Sequence, residues 1–172
     1  MRKVSKKVCL LGDFAVGKTS LVRRFVYDLF DEKYISTIGV KVSRKTVAVP
    51  TVDGAVVELT MMLWDLAGSE DFSQMRGSYM RGAAGAILVC DLTRPESLAN
   101  LDSYLADLRQ VSPQAMVIVV ANKSDSPDQH LLLSQVEAGA ARLGAKCFVT
   151  SARTGENVED VFRNLGRTLV EL

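Results

Sequence analysis

No apolar run in the 172 residues reaches the roughly 18 that a membrane-spanning helix requires. A helical membrane span within the chain is therefore not expected. Cysteine is scarce as well: three residues, Cys9, Cys90 and Cys147, each in its own apolar run. That spacing excludes a disulfide framework or a metal-ligand cluster. It makes the thiols small core hydrophobes of a reducing compartment. His130 is the single histidine and lies in a polar stretch beside Pro127, so no histidine-based catalysis is expected. Neither sign of charge dominates, with 21 Lys and Arg against 20 Asp and Glu. Nothing in that balance points to nucleic acid or to a general anionic surface. Arg2 stands where N-myristoylation needs Gly, and the basic Met1–Lys7 leads only into a short apolar run, unlike a signal peptide. Val170-Glu171-Leu172 carries no prenylation cysteine. The expectation is a cytoplasmic chain without a membrane anchor of its own. Membrane association would need a further C-terminal tail.

What the chain does hold is 48% apolar and 24% charged residues, a globular balance in a length that suits one domain, 1–172. One stretch organises it. Gly12-Asp13-Phe14-Ala15-Val16-Gly17-Lys18-Thr19 fits the phosphate-loop pattern G-x-x-x-x-G-K-[ST] at every fixed position. The apolar run Val8-Cys9-Leu10-Leu11 precedes it, and an apolar-periodic segment through Leu21, Val22, Phe25 and Val26 follows. Such a loop wraps a polyphosphate with backbone N–H groups, aided by the positive end of the next helix. Lys18 is placed to reach the β- and γ-phosphates and Thr19 to ligate Mg²⁺.

Periodicity supplies the remaining elements. Strands are expected over 4–11, 40–49, 56–64, 85–90, 116–120 and 146–150. Helices are expected over 17–28, about 72–81, 95–110, 131–143 and 157 to the end, with Phe25 and Leu29 at core spacing from Leu21. Asp53-Gly54 is a hairpin turn signal. The fold class is therefore α/β: a doubly wound, mixed six-stranded sheet of the P-loop NTPase kind, with one antiparallel edge strand and about five helices. Four chemically suggestive clusters, 12–19, 65–70, 122–125 and 150–153, close predicted strands. In such sheets they converge on one crevice.

Asp65 ends an apolar strand and suits a metal carboxylate. Gly68, three residues later, can bring a bare backbone N–H to a terminal phosphate. Asn122-Lys123-Ser124-Asp125 follows the fifth strand. A carboxylate there can accept two hydrogen bonds from a base with adjacent N–H and NH₂ donors, an edge guanine has and adenine lacks. Asn122 can tie neighbouring loops, and the Lys123 stem can lie over the base plane. Small residues in Thr150-Ser151-Ala152-Arg153 let backbone N–H groups approach the base carbonyl.

In this order the motifs resemble those of the Ras superfamily of small GTPases, nearest the Rab-like branch, over essentially the whole chain. Gly12 to Thr19, Thr37, Asp65-Leu66-Ala67-Gly68-Ser69-Glu70, Asn122 to Asp125 and Thr150 to Ala152 carry the resemblance. Tyr34 to Val40 is close to a Rab-type first switch, and Met75 to Gly82 resembles the end of the second. The resemblance implies a GTP/GDP switch with Mg²⁺ held by Thr19, Thr37 and Asp65. It implies nucleotide contacts from Asp13 to Ser20 and from Phe30, Tyr34, Thr37, Gly68, Asn122, Lys123, Asp125, Ser151, Ala152 and Arg153. Phe30 would pack against guanine, or serve only as a loop anchor. The implied catalytic set is Lys18, Thr37, Gly68 and Ser69. Effector and regulatory proteins would be recruited through residues 30–42 and 66–82 of a monomeric chain.

Two positions depart from the family. Ser69 stands where the water-positioning glutamine is usual and is too short to replace it. Phe14 stands where Gly or Ser is usual, and its bulk crowds the γ-phosphate. Arg76 and Arg81 read as surface or salt-bridge residues of the switch helix, with an in-chain catalytic arginine as the alternative. The turn over 50–55 looks longer than usual for the branch. The readings that remain are a slow GTPase switch, a GTP-loaded scaffold with negligible hydrolysis, and a P-loop ATPase or kinase. Asn122 to Asp125 argues against the last.

Overall fold

The computed structural model describes residues 1–31, 39–68 and 73–171. Six strands form one sheet: β1 (Arg2–Leu11), β2 (Val40–Pro50), β3 (Val56–Leu66), β4 (Gly85–Asp91), β5 (Met116–Asn122) and β6 (Lys146–Val149). Their order is β2-β3-β1-β4-β5-β6. All neighbours are parallel except β2 and β3, which pair antiparallel from Val40↔Leu66 to Pro50↔Val56. The mixed sheet with one antiparallel edge is the expected plan. Asp53-Gly54 turns the hairpin, with Gly54 at φ 84° in the left-handed region that glycine enters without Cβ strain.

The helices are α1 (Lys18–Tyr27), α2 (Ser73–Met80), α3 (Pro95–Ala99), α4 (Leu101–Val111), α5 (Leu133–Arg142) and α6 (Val158–Glu171). The single helix expected over 95–110 is divided at Asn100, which ends α3 and opens α4. Helices cover both faces of the sheet. Val8 and Leu10 of β1 point with Leu59, Met61 and Leu63 of β3 towards α1 and α6. Cys9 and Leu11 point the other way, towards Met80, Leu98, Leu101, Leu108 and Val136. The period of two along a strand splits each buried run between the two cores. Cys9 and Cys90 are buried and Cys147 is half-buried, all as free thiols. Burial pushes Cys9 up to about 11 and Cys90 up to about 12, as expected of core hydrophobes.

Leu29 corrects the sequence reading. It is 63% exposed, not a core position of α1. Asp28 adopts φ 53° and caps the helix, its N–H donating to the carbonyls of Arg23 and Arg24. The left-handed cap turns the chain off the helical stripe before Leu29 is reached.

Candidate functional site

The five parallel strands deliver their carboxyl ends to one edge of the sheet. There the loops after β1, β3, β5 and β6 line a cleft of about 430 Å³. Phe14, Ala15, Gly17, Lys18, Thr19 and Ser20 line it, with Phe30, Asp31, Ala67 and Gly68. Asn122, Lys123, Asp125, Ala152 and Arg153 line it as well. Tyr34, Thr37 and Ser69 lie outside the described residues.

The phosphate-type loop is built by close approach. A Cβ on Gly17, at φ 103°, would lie 2.2 Å from Asn122 Nδ2. A Cβ on Gly68 would lie 2.5 Å from atoms of residues 12, 13 and 14. Gly68 therefore sits directly on the loop, where only a glycine fits. Lys18 is buried, and its Nζ donates to the carbonyls of Gly12 at 2.7 Å and Asp13 at 2.9 Å. Burial lowers its pKa to about 8, partly offset by Asp65 and Asp13. Thr19 Oγ1 donates to Asp65 Oδ2 at 2.5 Å. Two oxygen ligands of the hard-cation kind, one in the first turn of α1 and one at the end of β3, 46 residues apart, thus meet beside the phosphate-type loop. That donor set fits Mg²⁺.

Asn122 joins three loops. Its Nδ2 donates to Val16 O at 3.0 Å, and its Oδ1 accepts from Thr150 Oγ1 at 3.1 Å and from Ala152 N–H at 3.2 Å. Asp125 Oδ1 accepts from Ser151 Oγ at 2.7 Å, which fixes the carboxylate at the cleft. Arg153 Nη1 is 3.9 Å from Asp125 Oδ2. Phe30 both lines the cleft and packs on the core below it. Asp13, Val16, Asp65 and Ser151 do not line the cleft. Val16 is buried in the core, while the side chains of Asp13, Asp65 and Ser151 bond to Tyr104, Thr19 and Asp125 respectively.

Several residues at this site carried no signal in the motifs. Asp91, buried at the end of β4, binds Lys123 Nζ at 2.8 Å and Arg94 Nε at 3.2 Å. Burial opposes its charge, but hydrogen bonds from Lys123 and Thr93 prevail and its pKa is lowered. Arg94 Nη2 continues to the carbonyl of Phe14 at 2.5 Å. The side chain of Asp13 accepts from Asn100 Nδ2 at 2.7 Å and Tyr104 OH at 3.0 Å. Arg76 lies 4.4 Å over the Tyr104 ring and pairs with Asp107 at 3.2 Å, so it is a salt-bridge residue. Asp91 had one readable sign: it closes an apolar strand, as Asp65 does. Among the described residues no helix is long and apolar enough to cross a membrane.

Comparison with known proteins agrees with this geometry. Residues 7–171 match the Ras family. Rab-31 of Rattus norvegicus, a Ras-related protein, is 37% identical over 169 residues, covering 96% of this chain and 84% of its own. The Ras-related protein SEC4 of Saccharomyces cerevisiae is 36% identical over 166 residues, 96% of this chain and 75% of its own. RABA1b of Arabidopsis thaliana is 41% identical over 160 residues, 91% and 71% respectively. With a phosphate-loop pattern, a threonine–aspartate pair and the Asn122–Asp125 loop around one cleft, the chain belongs to the Ras family of GTP-binding switches, in its Rab-like branch.

Proposed function

We propose that this protein binds GTP and GDP with Mg²⁺, hydrolyses GTP slowly, and recruits partner proteins through residues 30–42 and 66–82 according to the nucleotide held. The observation that carries the reading is the Asp125 carboxylate, oriented by Ser151 Oγ at 2.7 Å in the same cleft as Lys18. A charged acceptor facing an N–H/NH₂ edge selects guanine, since adenine offers it no adjacent donor pair and the two charge-assisted hydrogen bonds are not made.

The residues divide the work. Backbone N–H groups of the loop and Lys18 hold the β- and γ-phosphates, and Lys18 exchanges two carbonyl partners for phosphate oxygens. Thr19 and Asp65 would hold Mg²⁺, with Thr37 joining in the GTP form. The ion supplies neutralisation of charge on the phosphate oxygens. Gly68, set on the loop, offers its N–H to the γ-phosphate and reports its presence to the following segment. Release of that contact on hydrolysis frees 66–82, and loss of the Thr37 contact frees 30–42. Arg94 and Asp91 brace the loop and Lys123 from outside the cleft. The reading is of a monomeric cytoplasmic protein.

A second reading, a GTP-loaded scaffold with negligible hydrolysis, is favoured by Phe14. The residue is 47% exposed and lines the cleft, where its bulk would crowd the γ-phosphate and any arginine brought by a partner. One experiment tests both. Purified protein is loaded with GTP and Mg²⁺, and bound nucleotide is followed by chromatography at 25 °C. Slow conversion to GDP is expected, accelerated about tenfold or more by Phe14→Gly combined with Ser69→Gln. Persisting GTP would favour the scaffold. A protein that loads no guanine nucleotide would refute both.

A further inference from the structure

Arg24 belongs to α1, the helix that leaves the phosphate loop, yet its guanidinium ends on the loop after β6. Nε donates to Ala152 O at 2.9 Å, across 128 residues of chain. Nη2 donates to the carbonyl of Arg153. Nη1 donates to Asp28 Oδ1 at 3.2 Å, on the residue that caps the same helix. The side chain is 19% exposed, and a planar fork with each nitrogen committed has little freedom. Its base is equally fixed. Phe25, the next residue, stacks on Phe162 of α6 with ring centroids 4.0 Å apart and planes 1° apart.

The consequence lies on the far side of the gripped peptides. In a trans peptide the C=O and N–H point in opposite directions. Drawing Ala152 C=O onto Arg24 turns the Arg153 N–H away from α1. Drawing Arg153 C=O onto Arg24 turns the Thr154 N–H the same way, and that N–H donates to Ser151 Oγ at 3.0 Å. Ala152 and Arg153 line the cleft. The backbone of Ser151, the residue that orients Asp125, has anchors of its own: its N–H donates to Glu156 O and its carbonyl accepts from Gly155 N–H. The grip of Arg24 and the hold on Asp125 therefore act at different peptides of one short loop, joined by the Thr154–Ser151 hydrogen bond while the Ser151 backbone keeps its own anchors.

We propose that Arg24 is a positioning residue for base recognition, fixing the 152–153 peptide so that its donor side faces the carbonyl of the bound base. The proposal rests on the guanine-nucleotide reading given above. It separates two halves of base recognition: Asp125 reads the N–H/NH₂ edge, and the Arg24-held peptide reads the carbonyl.

The test is competitive displacement of a fluorescent GDP by three ligands, with Arg24→Ala and Arg24→Lys compared with the unsubstituted protein. GDP carries both features. 6-Thio-GDP replaces the carbonyl by a poorer acceptor, and IDP lacks the amino group. In both variants GDP is expected to bind about tenfold more weakly, the size of one well-placed hydrogen bond. 6-Thio-GDP should lose clearly less, so the preference for GDP over 6-thio-GDP shrinks. The preference for GDP over IDP should hold within about twofold. Lysine keeps the charge and the apolar stem, so a folded Arg24→Lys variant guards against misreading an unfolded Arg24→Ala. Equal weakening of all three ligands, unchanged binding, or full retention by lysine would overturn the proposal. A thermal midpoint that falls with both preferences intact would reduce Arg24 to a structural residue. Unsubstituted protein that binds none of the three would sink the guanine reading itself.

Discussion

Lys18 shows how much a single residue here depends on its surroundings. It is an ammonium group enclosed by the loop it serves, and burial holds its pKa at about 8 against the ordinary 10.5. A polyphosphate brings negative charge within contact and must raise that value. The sign follows. Well below pH 8 the free protein already carries the proton and none need be taken up at Lys18. From about pH 8 upwards the free protein has lost half of it or more, so binding takes up protons and affinity falls as pH rises. A terminal phosphate, with its second pKa near 6, is already ionised in that window and contributes no uptake. Calorimetric titration with GDP at pH 8.5, in two buffers of different ionisation enthalpy, should show uptake approaching one proton. Buffer-independent heat would mean Lys18 keeps its charge in the free site.

At the scale of elements, α1 and α6 bind the site to the core. The Phe25–Phe162 stack ties the residue next to Arg24 to α6, the helix that follows the 150–153 loop. Phe162→Ala deletes a side chain that is 1% exposed and leaves a cavity between two helices and the sheet. The expected cost is about 3–5 kcal/mol, a large part of a domain's stability. Urea unfolding of nucleotide-free protein should show the unfolding free energy falling by that amount, and a loss below about 1 kcal/mol would show that the interface collapses around the gap. These elements were legible in the sequence because their signals are local. The stripe Val158, Val161, Phe162, Leu165, Leu169 has helical spacing, and 85–90 and 116–120 are unbroken apolar runs. The phosphate loop, Asp65 and Asn122 to Asp125 were legible for the same reason, since each is a short pattern on one turn. What was hidden depends on partners far along the chain. Asn100 divides the helix expected over 95–110 and binds Asp13, 87 residues away. Tyr104 and Arg24 act across 91 and 128 residues. No spacing rule brings such pairs together before the sheet does. Leu29 failed in the opposite sense, since helical spacing continued past a cap that Asp28 had already set.

For the molecule as a whole, the decisive feature is that β1, β3, β4, β5 and β6 run the same way. Chemistry from residues 12 to 153 is thereby collected at one edge. The antiparallel β2–β3 turn is left at the other, near Met1 and Val170. A ligand in the cleft touches loops from four separate parts of the chain and must stabilise the domain as one unit. Linkage sets the size. At a free concentration about 1,000 times its dissociation constant, a ligand adds about 4 kcal/mol. For a domain of this length that corresponds to a rise in thermal midpoint of about 8–16 °C. GDP with Mg²⁺ should produce such a shift, and ATP with Mg²⁺ at the same concentration should produce almost none, because Asp125 finds no donor pair on adenine. Adding EDTA to the GDP complex should remove part of the gain. The share removed belongs to Thr19 and Asp65, which face each other at 2.5 Å and are left without their cation. The share that survives belongs to the phosphate loop and the base loop. If EDTA changed nothing, the threonine–aspartate pair would be a structural hydrogen bond and the metal assignment would fall. If ATP shifted the midpoint as far as GDP, the base loop would lose its role while the phosphate loop kept its own.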